Sequence, residues 1–173
     1  MHPPFLACVV QAAPVYLDLE KSVEKAQLLI SQAAVAGAKF IAFPELWLPG
    51  YPWWVWFSDT DWADRHGWSQ RYREQALDMN SRHAKAIAET AAKHGIQVLM
   101  GAAERDGDHL YIAQWLIDEC GQTTLHRRKL KPGPRELKVF SEGGAKDLCV
   151  VNTVLGRVGA LACAEHRHTL LKH

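Results

Sequence analysis

Hydrophobic positions along this chain repeat with two different periods. Leu19, Val23, Ala26, Ile30, Ala33 and Gly37 are spaced by 4, 3, 4, 3 and 4 residues, the stripe of an amphipathic helix. Asp18 stands where an N-cap belongs, and Gly37 where the helix has to stop. Continuous apolar runs flank this stripe, Phe5–Ala12 before it and Phe40–Phe43 after it, the second closed by Pro44. Runs of that kind fit buried strands, so residues 5–43 predict one βαβ unit with a parallel sheet.

Further on, Asp61 to His94 has a helical period with a break near Met79-Asn80 and a stop at Gly95. Ile96–Ala102 and Leu110–Ile117 predict strands around the turn Asp106-Gly107-Asp108. Cys120-Gly121 turns into a short strand ending near Leu125. Residues 126–147 are basic and rich in Pro and Gly, and are expected to be irregular. Leu148–Asn152 and Val158–Ala162 predict a strand pair around Leu155-Gly156-Arg157, and Glu165 to His173 begins a helix. Strands alternating with helices place the chain in the α/β class.

Composition narrows the function classes. The 173 residues carry 20 Lys+Arg against 19 Asp+Glu, a formal charge of +1, which argues against a nucleic-acid binder. Cys8, Cys120, Cys149 and Cys163 lie 112, 29 and 14 residues apart, with no C-x-x-C pair, so free thiols in a reducing compartment are expected. Residues 1–17 hold no Lys or Arg, and the apolar run ends at Gln11, which does not make a signal peptide. The uncharged stretch Leu46 to Ser58 has 13 residues and contains Pro49 and Pro52, too short and broken for a bilayer. A soluble, cytoplasmic protein is the expectation.

Two reactive side chains follow the C-terminal ends of predicted buried strands, Glu45 after Phe43 and Cys163 after Ala162. Sites in open α/β sheets are built there, where turns expose backbone N–H groups. A thiol at a strand-to-helix turn gains from the helix N-terminus, which stabilises a thiolate. Taken singly, Cys163 reads first as a small buried hydrophobe and Glu45 as a surface carboxylate. Lys129, inside His126-Arg127-Arg128-Lys129-Leu130-Lys131, reads first as part of a solvated basic loop or a phosphate-contacting patch, and Glu136 alone carries no signal. Trp47, Trp53, Trp54, Trp56, Trp62 and Trp68 put six of seven tryptophans within 22 residues of chain. Most of them would pack the loop, and one or two would line a pocket for an aromatic or bulky apolar molecule.

Three segments together carry a resemblance. Phe43-Pro44-Glu45-Leu46-Trp47-Leu48-Pro49-Gly50-Tyr51-Pro52-Trp53-Trp54 resembles the catalytic-glutamate segment of the nitrilase family. Arg128-Lys129-Leu130-Lys131-Pro132, followed by Val139-Phe140-Ser141-Glu142-Gly143, resembles its lysine segment. Gly159-Ala160-Leu161-Ala162-Cys163-Ala164-Glu165-His166 resembles its cysteine elbow, and the three occur in family order.

The resemblance implies part of an αββα sandwich, with residues 1–173 an incomplete nitrilase-like domain that ends just after the elbow. It implies Cys163 as nucleophile on a nitrile carbon, Glu45 as general base and Lys129 as the cation that stabilises the adduct. Glu136 would orient the lysine, while Trp53, Trp54 and Ala164 would border the substrate. No metal or organic cofactor is implied. The partners implied are a small nitrile and, at full length, further copies of the chain, with no nucleic acid and no membrane. A proton shared between Cys163 and Glu45 is expected, because a cation must offset two carboxylates beside the thiol. Ala164 stands where the family has Trp, and the residues around Glu136 depart from the family pattern, so Glu136 is expected to be less firmly held. The 1–173 chain alone is expected to be inactive.

Competing readings are a cyanide hydratase or dihydratase, an amidase of the same superfamily, and a non-catalytic homologue acting only in oligomer assembly. A metal-binding tail of Cys163, His166, His168 and His173 is a remoter one.

Overall fold

The computed structural model describes residues 3–57, 60–168 and 171. The βαβ unit is present. Strand β1 (Leu6–Val9) leads to helix α1 (Leu19–Val35) and then to β2 (Ala38–Ala42), which pairs parallel with β1. Asp18 caps α1 by accepting from the Lys21 N–H at 3.0 Å, and Gly37 takes φ +90° just beyond the helix. The buried positions Leu19, Val23, Ala26, Ile30 and Ala33 are the stripe read from the sequence.

The helical stretch after the tryptophan-rich loop is broken in more places than its period suggests. A short helix, α2 (Trp54–Phe57), lies within the loop itself, and the stretch forms α3 (Thr60–Arg65), α4 (Trp68–Gln75) and α5 (Arg82–His94). Gly67, at φ +71°, separates α3 from α4. Residues 76–81 depart from helix because Leu77 bridges to Glu104 of the sheet, its N–H donating to Ala103 O at 2.8 Å. Ser81 caps α5 and Gly95 ends it in the left-handed region.

β3 (Gln97–Asp106) and β4 (His109–Ile117) form a hairpin through the Asp106–Asp108 turn, and β5 (Thr123–Arg128) pairs antiparallel with β4. The sheet order is β1-β2-β3-β4-β5. One face packs under α1 and α5 through Ile41, Val98, Met100, Ala102, Trp115 and Ile117. Across the sheet, Leu116 and Leu125 meet Val151 and Val158 of a second, two-stranded sheet, β6 (Val150–Thr153) and β7 (Gly156–Gly159). Helices, sheet and hairpin thus stack in three layers, as in part of an αββα sandwich.

Four expectations are corrected. Phe5–Ala12 is not a buried strand: β1 is a four-residue edge strand whose Leu6 and Val9 are exposed, because nothing pairs on its outer side among the described residues. The Val158–Ala162 strand stops at Gly159, so three irregular residues separate it from Cys163. Residues 126–128 are not irregular but belong to β5. The predicted helix from Glu165 is, as far as described, a 3-10 turn over Cys163–Arg167, and residues 169, 170, 172 and 173 lie outside the description.

Candidate active site

Glu45 sits where the chain leaves the ladder between β2 and β3 and then rejoins it. Phe43 N–H donates to Leu99 O at 2.8 Å before the excursion, and Leu48 N–H donates to Gly101 O at 3.1 Å after it. The four residues between are pushed out as a turn, closed by Trp47 N–H on Pro44 O at 3.2 Å. Gly101 permits this, since a Cβ there would overlap the Pro44 carbonyl. Leu46, at φ +52°, carries the strain of the turn that projects Glu45.

Lys129 is positioned by the alternation of β5. Leu125, Arg127 and Lys129 are buried, while His126 and Arg128 alternate with them and turn to the opposite face. On that opposite face His126 and Arg128 hold Glu104, at 2.8 and 2.6 Å. Lys129 N–H continues the ladder to Ile112 O at 2.7 Å. Gly143 N–H donates back to Lys129 O at 2.9 Å, and a Cβ on Gly143 would lie 2.5 Å from Arg128 O. The lysine backbone is therefore clamped on two sides.

The Lys129 ammonium, on a side chain only 1% exposed, donates to Glu45 Oε1 and to Glu136 Oε2, each at 2.9 Å. Glu136 also accepts from Gly133 N–H at 2.6 Å and from the Tyr51 hydroxyl at 3.0 Å. It is firmly held, against the expectation from its unusual neighbours. Burial pushes the Glu136 carboxyl up, but its N–H donor, the ammonium and the phenol outweigh that and leave it below the usual carboxylate range. For Glu45 burial wins over the Lys129 contact, and its pKa is raised. Burial pulls Lys129 down, but its two carboxylates more than offset this, so it is held as an ammonium. The two carboxylates on one ammonium are thus pushed in opposite directions, Glu136 toward its charged form and Glu45 toward its protonated one.

The cysteine segment is tied to the same place by Glu165. Its carboxylate, 4% exposed, takes both ends of the buried Arg127 guanidinium at 2.7 Å and also accepts from Leu130 N–H at 2.9 Å and Ala162 N–H at 2.7 Å. Gln114, itself bonded to Arg127 at 2.6 Å, donates to Leu161 O at 3.2 Å. Residues on either side of Cys163 are therefore anchored to the residue that follows Lys129. Cys163 is exposed and takes φ +47°, a strained value for a side-chain-bearing residue of the kind found at sharp nucleophile turns.

The sequence pattern of carbon-nitrogen hydrolases matches residues 6–173. The chain belongs to the carbon-nitrogen hydrolase family. Within it, the chain is 44% identical over 173 residues to a nitrilase from Pseudomonas syringae, covering all of this chain and 51% of that protein. It is 45% identical over 166 residues to an arylacetonitrilase from Aspergillus niger, covering 95% and 48%. An amidase of Nesterenkonia sp. AN1, described with acrylamide added at its active-site cysteine, shares the fold. The TM-score is 0.65 at 18% identity, covering 90% of this chain and 56% of that one. This carbon-nitrogen hydrolase chain spans about half the length of the curated relatives it matches.

The structure of this carbon-nitrogen hydrolase sorts the remaining candidates. Trp54 is buried, edge-on to Tyr72 at 5.3 Å, in a core with Leu46, Val55 and Phe140. Trp53 is exposed and lies against Tyr51, ring centroids 5.0 Å apart. Ala164 borders a cavity of about 560 Å3 with Leu130, Lys131, Gly143 and Leu171, whose walls do not include Glu45, Lys129 or Glu136. Among the described residues no group of three or more His, Cys, Asp or Glu could hold a metal, and His173 of the suggested tail lies outside them. Among them, too, no helix is long and apolar enough to cross a membrane.

Sequence reading missed Arg127, Glu165 and Tyr51. The buried-exposed alternation through 125–129 was the available signal for Arg127, and it was hidden because a run of basic residues reads as solvated.

Proposed function

We propose that this chain carries the catalytic residues of a nitrile hydrolase, converting R–C≡N and two waters to a carboxylic acid and ammonia. Cys163 gives its thiol proton to Glu45 while its sulfur bonds to the nitrile carbon. Glu45 passes that proton on to the nitrogen, leaving a neutral thioimidate and a free carboxylate. Glu45 then accepts a proton from water as its oxygen adds to the carbon and hands it to the nitrogen; the remaining hydroxyl proton follows by the same route as the C=O bond forms, the C–N bond breaks, and ammonia leaves. A second water releases the acid from the resulting thioester, and the sulfur regains its proton. Thiolate suits the first step because a nitrile carbon is a weak electrophile. Lys129, desolvated and aimed by two carboxylates, offsets the negative charge that grows on the substrate.

The observation that carries the reading is the sealed Lys129 ammonium bridging Glu45 and Glu136, with Glu165 fastening the cysteine segment to Leu130. The names of the similar curated proteins support nitriles over amides.

The test uses residues 1–173 joined to the remaining half of the Pseudomonas syringae nitrilase. This chimaera is expected to release acid and ammonia from phenylacetonitrile and to lose that activity on Cys163→Ala. Hydrolysis of phenylacetamide with no reaction of the nitrile would transfer the reading to an amidase.

A further inference from the structure

Glu136 is held by donors from three parts of the chain, and one of them has no assigned role. Its Oε2 accepts from Lys129 Nζ at 2.9 Å and from Gly133 N–H at 2.6 Å. Its Oε1 accepts from the hydroxyl of Tyr51, 85 residues earlier in the chain, at 3.0 Å. The same hydroxyl oxygen accepts from the Trp56 indole N–H at 2.9 Å. An indole nitrogen only donates and a carboxylate only accepts, so the direction is fixed, from Trp56 to Tyr51 and from Tyr51 to Glu136. Arg135 closes the outside, its guanidinium 4.8 Å above the Trp56 ring and donating to Trp56 O at 3.0 Å. The exposed aromatic turn is thereby wired to the sealed ammonium.

We propose that Tyr51 is a positioning residue: held by Trp56, its hydroxyl fixes the Glu136 carboxylate in one orientation and one charge state, and through it aims Lys129. The inference rests on the catalytic reading of Lys129 given above. Without Tyr51, Oε1 of a buried carboxylate loses its one recorded donor among the described residues. The carboxylate then turns or takes a proton, and either change releases Lys129 toward Glu45. The charged and titratable groups around Glu136 are Lys129, Glu45, Tyr51 and, farther off on α4, Tyr72. Burial, with the Glu136 charge beside it, pushes the Tyr51 hydroxyl up to about 12, so it keeps its proton, and remains a donor, at neutral pH.

The test is Tyr51→Phe in the chain labelled with 13C at the glutamate carboxyls, the Glu136 signal being assigned with Glu136→Gln. Removing a donor to the charged form raises a carboxyl pKa, so the Glu136 midpoint is expected to move up by about half to one pH unit. Trp56→Phe, which keeps the phenol, gives a smaller rise. In the chimaera, Tyr51→Phe lowers kcat on the order of three- to tenfold with KM within about twofold. An unchanged Glu136 titration overturns the proposal, and so does a drop in thermal midpoint with that titration unchanged, which would make Tyr51 a packing residue only. A raised Glu136 midpoint together with an unsubstituted chimaera that releases no ammonia from the nitrile upholds the contact and removes the proposed function instead.

Discussion

Lys129 is the residue on which the other site groups converge, and its replacement tests them together. Lys129→Met would leave Glu45 and Glu136 facing each other without a cation. Breaking a buried ion pair by removing one partner costs about 3–5 kcal/mol, and a loss of that order is expected in urea unfolding. Arg127→Ala should cost a similar amount, because Glu165 would be left buried with two backbone donors in place of a guanidinium. The carboxylates also set the response to acid. Glu104, Glu136 and Glu165 all have pKa values lowered in the fold, so each contributes stability above its unfolded value that is lost as pH falls through its folded one. Glu45, raised, acts in the opposite sense, contributing below its unfolded value and losing that as pH rises. Stability is therefore expected to fall below about pH 4.3, the ordinary glutamate value, and to fall less steeply in Glu165→Gln. At this scale Glu45 and Lys129 were legible because each sits in a recognisable segment, and Glu136 only by its position after the lysine. Tyr51 lies in the Glu45 segment and Glu165 in the cysteine elbow, yet what they bond became visible only with the chain folded.

Among elements, the ladder excursion that projects Glu45 depends on Gly101, and β5 determines which basic side chain faces which layer. Gly101→Ala should force the Pro44 carbonyl away and cost about 1–3 kcal/mol, measured by urea unfolding, because overpacking is relieved only by moving backbone. Helix α1 and its cap were readable since periodicity and capping are local signals. β1 was read as buried because an apolar run does not reveal that it lies at a sheet edge. Only the first half of β5 was read as strand, and 126–128 as loop, because four consecutive basic residues mask a strand's alternation when partners such as Glu104 and Glu165 lie far along the chain.

Over the whole molecule, three layers are assembled, and the chain spans about half the length of its curated relatives. β6 and β7 pack one side on the main sheet, yet Val150 and Val154 remain 55% and 67% exposed, and Cys163 itself is exposed. A nucleophile must be held close to its productive geometry by packed neighbours. Residues 1–173 alone are therefore expected to release no ammonia from phenylacetonitrile, in contrast to the chimaera, by direct ammonia assay. The most direct test of the account is mass spectrometry of the chimaera quenched during turnover. The account predicts an added mass, thioimidate or acyl, on the peptide carrying Cys163, absent in Cys163→Ala. Continued turnover in Cys163→Ala, or an adduct on Cys8, Cys120 or Cys149 instead, would contradict it.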